Sequence, residues 1–305
     1  MTKALVLMNM GGARNKAELE LFLRNMFNDE NILTIKNKFL RNIIASFITL
    51  SRINSAWENY EAIGGKSPIN DLTDQLVEKL LNRLNDIFVT QAMRYTPPLT
   101  ITTIRQIKQR KIKDVILLPL YPQYSTTTTK SSLDEFLNNC GSKMNIKIIE
   151  PFYKNLSFNN CIIDELKSKH KPNTHLIFSA HGLPQKIVDA GDPYETQVKE
   201  HVQILTNLIN EKNLNFESIN LAYQSKVGPM KWLEPSLDNM LENFKGKNVL
   251  IYPISFIIDN SETTFELDIE YKELAQELGV ASYDVCSCVN SSDKFVDTIL
   301  ELIDE

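Results

Sequence analysis

The chain has 305 residues, 43% hydrophobic and 23% charged, with a net charge of −5. That length suits about two domains with a core large enough to need no disulfide or structural metal, and the lack of a basic domain argues against nucleic acid as a partner. Four cysteines (Cys140, Cys161, Cys286, Cys288) make no disulfide framework, no apolar run is long enough to span a membrane, and the first apolar stretch is too short for a signal peptide, so the chain reads as cytoplasmic.

The first predicted strand, Ala4–Asn9, ends at NMGG (9–12). Glycines there allow a tight turn and close approach to a ligand, but G-x-G-x-x-G is missing, so dinucleotide binding is unsupported. A helical pattern follows at Lys16–Met26. Segment 35–53 then repeats Phe39, Leu40, Ile43, Ile44, Phe47 and Ile48 at helical spacing, with Lys36, Lys38 and Arg41 among them. It is an amphipathic helix that either packs on the core or forms a lip over a hydrophobic ligand or a membrane surface. IGGKSPI (63–69) fails as a P-loop, because Tyr60 stands where the first glycine belongs and Pro68 follows. It is either a plain turn or a cradle whose N–H groups hold a carboxylate.

Next come a helix at Asp71–Leu84, a strand at Phe88–Tyr95, a helix at Leu99–Arg110 and a strand at Val115–Tyr121. The last runs into LYPQYSTTTTKSS (120–132), whose hydroxyl run exceeds what capping a helix at Leu133–Asn138 requires. A short strand, Ile146–Ile149, follows.

The strand His175–Ser179 leads into FSAHGLP (178–184), placing His181 in a loop bounded by Gly and Pro. An imidazole is the side chain that takes a proton near neutral pH. His170 in a charged run, His175 at a strand start and His201 on a helix are weaker candidates. Then follow a helix at Glu195–Asn210, a strand at Ser218–Gln224, and YQSKVGPMKWLEP (223–235), where Met230 and Trp232 either face a flat ligand or pack. A helix at Pro235–Asn243, a strand at Val249–Phe256, a helix at Ser261–Leu278, a strand at Ala281–Val285 and a helix at 292–304 complete the chain. Glu262, Glu266 and Glu270 are spaced to share one face of an α-helix. Stacked like charges repel, so that face is either solvated or offset by a cation. Carboxylates with an imidazole suit a loosely held divalent ion such as Fe²⁺.

Strands alternating with helices, and lacking polar alternation, mean an α/β fold with parallel sheets. KDVILLPLYPQYS (113–125) and KNVLIYPISFIID (247–259) echo each other, as two Rossmann-like halves would and as any two buried parallel strands would. Length places the boundary near residue 151. The N-terminal domain is then 1–150, carrying segment 35–53, and the C-terminal domain 151–305, with its last helix free to pack back on the first.

LMNMGG (7–12), IGGKSPI (63–69), LYPQYSTTT (120–128), FSAHGLP (178–184), YQSKVGPMKWL (223–233) and PISFIIDNSETTFELDIEY (253–271), in this order, resemble the ferrochelatase family over nearly the whole chain. The resemblance implies two Rossmann-like, chelatase-like domains with an active cleft between them. It implies insertion of ferrous iron into a porphyrin, protoporphyrin IX rather than coproporphyrin because position 10 is Met where coproporphyrin-using relatives often have Tyr. The product is haem, made in the terminal step of its synthesis by a lyase. His181 matches the active-site histidine, the implied proton acceptor, and Glu262 the active-site glutamate, expected opposite it. His181, Glu262, Glu266 and Glu270 are the implied metal-handling set. Met10, Arg52, Ser67, Arg94, Tyr95 and Tyr121 match positions near the macrocycle or its propionates, and 35–53 matches the hydrophobic lip, a point of peripheral contact with the inner face of the membrane.

Two departures matter. Many members carry D-H-x-E, whereas here Asp259-Asn260-Ser261-Glu262 lacks the second histidine. Animal members hold a two-iron, two-sulfur cluster through a C-terminal cysteine set plus one earlier cysteine, but Cys286 and Cys288 alone are too few, so no cluster and no tightly bound cofactor is expected; iron is a substrate. The rivals are a cobalt chelatase acting on an earlier tetrapyrrole and a non-catalytic haem or porphyrin carrier on the same fold.

Overall fold

The computed structural model describes residues 2–226 and 228–304. The elements are, in chain order, β1 (Lys3–Asn9), α1 (Lys16–Phe27), α2 (Lys38–Ala62), α3 (Ile69–Arg83), β2 (Ile87–Met93), α4 (Thr100–Gln109) and β3 (Asp114–Pro119). A π-helix at Thr126–Lys130, α5 (Ser131–Cys140), β4 (Asn145–Ile148), α6 (Leu156–Lys169), β5 (Thr174–His181), α7 (Gln185–Asp189), α8 (Tyr194–Glu211) and β6 (Ser218–Gln224) follow. The rest is α9 (Leu237–Leu241), a 3-10 turn at Glu242–Phe244, β7 (Asn248–Pro253), a second π-helix at Glu262–Glu270, α10 (Tyr271–Glu277), β8 (Ser282–Val285) and α11 (Asp293–Asp304).

The chain divides into two compact units. One holds the chain up to Tyr121, Ser125–Glu150 and the residues from Ser291 on; the other holds Pro122–Tyr124 and Pro151–Asn290. α11 therefore belongs to the first unit, where Lys79 reaches the Ser291 carbonyl and the Asp293 carboxylate, each at 2.7 Å.

Each unit is built on a four-stranded parallel sheet, ordered β2-β1-β3-β4 in the first and β6-β5-β7-β8 in the second. The central strands carry the core. Ala4, Leu5, Val6, Leu7 and Met8 of β1 are wholly buried, as are Leu176 to Ala180 of β5. Strands covered on both faces have no use for polar alternation, which is why the sequence shows apolar runs there.

Three local differences separate the structure from the sequence pattern. β5 runs on to His181, so the histidine ends a strand rather than lying in a loop. α2 extends to Ala62, well past the predicted 35–53, and IGGKSPI is its exit turn: Gly64 and Gly65 have φ of +88° and +79°, and the Gly65 N–H bonds the Tyr60 carbonyl at 2.8 Å. The predicted α-helix over Ser261–Leu278 is a π-helix followed by α10, with the Tyr271 N–H reaching back five residues to Glu266. A threonine pair stands at its start. Hydroxyls of Thr263 and Thr264 bond the Asn260 carbonyl at 3.2 and 2.7 Å, crowding the acceptor that begins the ladder.

His201 is locked inside the second unit. Its Nε2 donates to Asn159 Oδ1 and its Nδ1 accepts from Gln123 Nε2, both at 2.8 Å. Gln123 also bonds the Ile254 carbonyl at 3.2 Å, tying Pro122–Tyr124 to this unit. Burial pushes the His201 imidazole down to about 3, against about 6.5 when unfolded. The unfolded chain therefore binds the extra proton, so this contribution to stability is complete above about pH 6.5 and drains away as the pH falls toward the folded value. His201→Gln is expected to flatten the decline of the urea midpoint between pH 6.5 and pH 4; a slope equal to that of the parent would contradict the linkage.

Candidate active site

In the second sheet β5 lies between β6 and β7, so strand order reverses at β5. Ligands of open α/β sheets bind beyond the carboxyl ends of the strands at such a reversal. His181 is the last residue of β5, and the loop after β7 leads to Glu262.

The His181 backbone is fixed on both sides. Its N–H donates to Ser255 Oγ at 3.3 Å, and Tyr194, a buried tyrosine of α8, donates its hydroxyl to the His181 carbonyl at 2.9 Å. Ser255 and Tyr194 hydroxyls bond each other at 2.6 Å. The next residue must be glycine: a Cβ on Gly182 would come within 2.6 Å of the Gln224 carbonyl oxygen, to which the Gly182 N–H bonds at 2.8 Å. Loop 182–185 then pairs with the 231–233 segment through Leu233 N to Leu183 O and Gln185 N to Lys231 O. That is how FSAHGLP and the MKWL end of the fifth motif come together; Val227 of that motif lies outside the described residues.

His181 Nδ1 lies 2.8 Å from Glu262 Oε2, with the two side chains 37% and 33% exposed, so the glutamate expected opposite the histidine is instead its direct hydrogen-bond partner. Phe256 meets the imidazole edge-on at 6.3 Å. Desolvation draws the imidazole pKa down, but the Glu262 charge and hydrogen bond, aided by Glu266, overcome it and hold the value above that of an ordinary histidine. Glu262 is the mirror case. Burial raises its carboxyl, and the His181 charge and hydrogen bond with the Ser225 hydroxyl outweigh that and leave it below the usual value.

Asn260 prepares the start of the helix bearing Glu262. Its Oδ1 accepts the Glu262 N–H at 2.8 Å, its own N–H donates to Thr263 Oγ1 at 3.0 Å, and its Nδ2 donates to the Ile258 carbonyl at 3.3 Å. Asp259 anchors the same segment: its N–H donates to Asn290 Oδ1 and its carboxylate accepts from Asn290 Nδ2 and from the Cys288 N–H.

Glu266, one turn on, faces the same region. Ser225 Oγ donates to its Oε2 at 2.6 Å and Gln224 Nε2 at 3.2 Å. Burial and repulsion by Glu262 raise its pKa to about 7. Glu270 is exposed and is not drawn into this group. Among the described residues no three His, Cys, Asp or Glu side chains converge as a ready-made metal site. Ser225, Gln224, Tyr194 and Ser255 were missed at the sequence level. Only the place of Gln224 at the end of a predicted strand, with Ser225 next, hinted at them.

The other candidates lie in the first unit. Met10 follows β1 and is half-buried; Tyr95 N–H bonds its carbonyl at 3.0 Å. Ser67 is buried, with an Oγ that has no hydrogen-bond partner among the described residues, packed where a Cβ on Gly12 would touch it at 2.6 Å. Arg52 is exposed, its guanidinium 6.0 Å from the Phe27 ring. Tyr121 shares a 3.0 Å bond with Ser132 Oγ. Arg94 and Tyr95 are committed to Asp29: Arg94 Nη2 and Tyr95 Oη each lie 2.9 Å from its Oδ2, and the Ser131 hydroxyl joins the same oxygen. Tyr95 is wholly buried, a supporting position. Beside this network a cavity of about 260 Å³ is lined by Asn25, Asn28, Asp29, Arg94, Thr100 and Glu135, among others.

The ferrochelatase family model matches residues 2–305. The ferrochelatase of a Nitratiruptor species is 52% identical over 307 residues, covering 98% of each chain. That of Wolinella succinogenes is 48% identical over 312 residues, covering 100% of this chain and 99% of its own. Among solved structures, SirB from Bacillus subtilis with Fe3+ aligns with a TM-score of 0.58 at 13% identity, over 100% of this chain and 95% of its own, and shows the fold alone. The chain belongs to the ferrochelatase family.

Asn260 works here as the turn that starts the Glu262 helix. Asn260→Ala should cost about 0.5–2 kcal/mol, the range for a lost helix cap. Thermal unfolding checks this, with Asn260→Ser retaining most of the stability. Equal losses in the two variants would refute the capping role.

Proposed function

We propose that this member of the ferrochelatase family inserts ferrous iron into protoporphyrin IX to make haem, with His181 as the proton acceptor. The observation that carries the reading is the 2.8 Å contact of His181 Nδ1 with Glu262 Oε2 at the strand-order reversal of the second sheet.

Insertion exchanges two pyrrole N–H protons for one cation, so a base must present a lone pair to the ring. A carboxylate on Nδ1 fixes the imidazole tautomer with its proton on that nitrogen, and Nε2, which has no hydrogen-bond partner among the described residues, keeps its lone pair. The same carboxylate stabilises the imidazolium once the proton has been taken, the division of roles seen in histidine–carboxylate catalysis generally. Glu262 stays ionised and holds the imidazolium until its proton leaves the site. Glu266, next along the helix, takes it onward or passes iron inward; Glu270 forms the solvent end of the row. Met10, Arg52, Ser67 and Tyr121 are assigned to the macrocycle, and Arg94 and Tyr95 to the same surface with Asp29 behind them. Met10 in place of a tyrosine supports protoporphyrin over coproporphyrin.

No iron–sulfur cluster enters this scheme. Four cysteinyl ligands are the usual requirement. Cys286 and Cys288 are buried just past β8, and Cys140 sits in the other unit. Free, buried thiols also support a cytoplasmic site of action.

The expected behaviour is that His181→Ala abolishes insertion, followed by porphyrin absorption bands with Fe²⁺, while porphyrin still binds; turnover near that of the parent would end the assignment. Running both porphyrins in the same assay tests the substrate choice. Since the base must be neutral, activity should rise with pH through the elevated His181 value. Glu262→Gln removes the charge that raises it, so the acid limb of kcat/KM should move to lower pH, with a plateau at least about tenfold lower. A shift to higher pH would contradict the pairing.

A contact with a membrane surface is the second part of the proposal. No helix among the described residues is long and apolar enough to cross a membrane. α2, however, packs with Arg41, Ala45 and Thr49 inward and leaves Phe39, Phe47 and Leu50 at 76%, 70% and 69% exposure on one stripe. A helix of that kind lies in the interface with its apolar stripe in the acyl boundary. Vesicle co-sedimentation should show binding that falls roughly tenfold or more in Phe39→Asn/Phe47→Asn, given about 1.5–3 kcal/mol for each buried side chain. Equal sedimentation of the two proteins would rule the stripe out.

A further inference from the structure

The backbone at Ser225 has φ of +66°, in the left-handed region. Three of the other four non-glycine residues with positive φ are Asn173, Asn213 and Asn290, the residue type that tolerates it best. Glycine would occupy position 225 without strain. A serine kept in a costly conformation beside the site is the kind of outlier that points to a function for its side chain.

That side chain has one direction to go. Ser225 Oγ donates to Glu266 Oε2 at 2.6 Å, and Gln224 Nε2 donates to the same oxygen at 3.2 Å. Gln224 is wholly buried and is itself held from β5, where Ser179 Oγ donates to its Oε1 at 2.8 Å. Both donors therefore converge on one oxygen from the end of β6. The other oxygen, Oε1, has no hydrogen-bond partner among the described residues.

We infer that Ser225 is a positioning residue for the metal route: from its left-handed backbone it pins Oε2 of Glu266, with Gln224 as second anchor, and leaves Oε1 presented to the incoming divalent cation. Without that anchor Glu266, on a π-helix, can swing to solvent with its neighbour Glu270. The inference rests on the reading of Glu266 as part of the iron route.

Steady-state insertion assays with Fe²⁺ and porphyrin varied separately, on Ser225→Gly, Ser225→Ala, Glu266→Gln and the Ser225→Gly/Glu266→Gln double variant, test it. Ser225→Gly should raise the apparent KM for Fe²⁺ about tenfold, the worth of one charge-assisted hydrogen bond, and leave the porphyrin KM unchanged. Its thermal midpoint should equal or exceed the parent's, because glycine relieves the backbone; a purely structural serine would show stability, not the iron KM, as the quantity that moves. Ser225→Ala should show the same iron effect with a lower midpoint. In the Glu266→Gln background, Ser225→Gly should add nothing. A parental iron KM in Ser225→Gly beside a raised one in Glu266→Gln overturns the role of Ser225 and leaves the acidic route standing. Parental values in both overturn the route itself. An undiminished Ser225→Gly effect in the double variant shows that the serine acts elsewhere and also overturns the proposal.

Discussion

One hydrogen bond, from His181 Nδ1 to Glu262 Oε2, organises the second unit's site. Both groups are about a third exposed, and ion pairs so placed add little to stability. What the contact does is choose where the histidine's proton sits. Much of the surrounding structure serves that choice. β5 and β7 must be neighbours, Gly182 must let the chain pass close to Gln224, Ser255 and Tyr194 must hold the peptide, and Asn260 must start the helix that carries the carboxylate. The hydrophobic strands beneath supply the rigidity. His181 is the end of a strand with five successive wholly buried residues, so its backbone has little freedom to drift.

The two units repeat one plan. In the first, Met8 pairs with Pro119; in the second, Ser179 pairs with Pro253. Leu120 N–H bonds the Met8 carbonyl as Ile254 N–H bonds that of Ser179. A turn follows in each, with a side-chain oxygen accepting the N–H two residues on: Ser125 for Thr127, Asn260 for Glu262. A π-helix then begins in each, with a bond spanning five residues, Lys130 to Ser125 and Tyr271 to Glu266. By this register Met10 holds in the first unit the place that His181 holds in the second. A thioether there carries no proton, so a group able to take one stands at this place in the second unit and not in the first.

The fold was legible because its signal is repeated and apolar. The buried strands show as runs without alternation, and boundary errors of a few residues did not disturb their order. α6 was missed because Asn159 and Asn160 break its apolar stripe, although Asn155 caps it and Asn159 is buried for His201. His181 was legible from its place after a strand, and the resemblance singled out Glu262. What composition could not reveal was conformation. A π-helix and an α-helix use the same residues here, so composition does not separate them. Nor could the sequence show that Arg94 and Tyr95 are spent on Asp29, or that Ser225 lies in a left-handed backbone, since a lone serine after a strand reads as any loop residue.

The π-helix has a consequence for how this segment tolerates change. Glu262 and Glu266 share a side while Leu267 stays buried, on a helix whose turns are wider than those of an α-helix. Removing a single residue between 262 and 270 would tighten the turn at that point and shift the side chains on one side of the change relative to those on the other. Substitutions there alter one contact at a time, but a one-residue deletion or insertion changes the phase of the whole segment. Length between Asp259 and Tyr271 is therefore under tighter constraint than the identity of most residues within it.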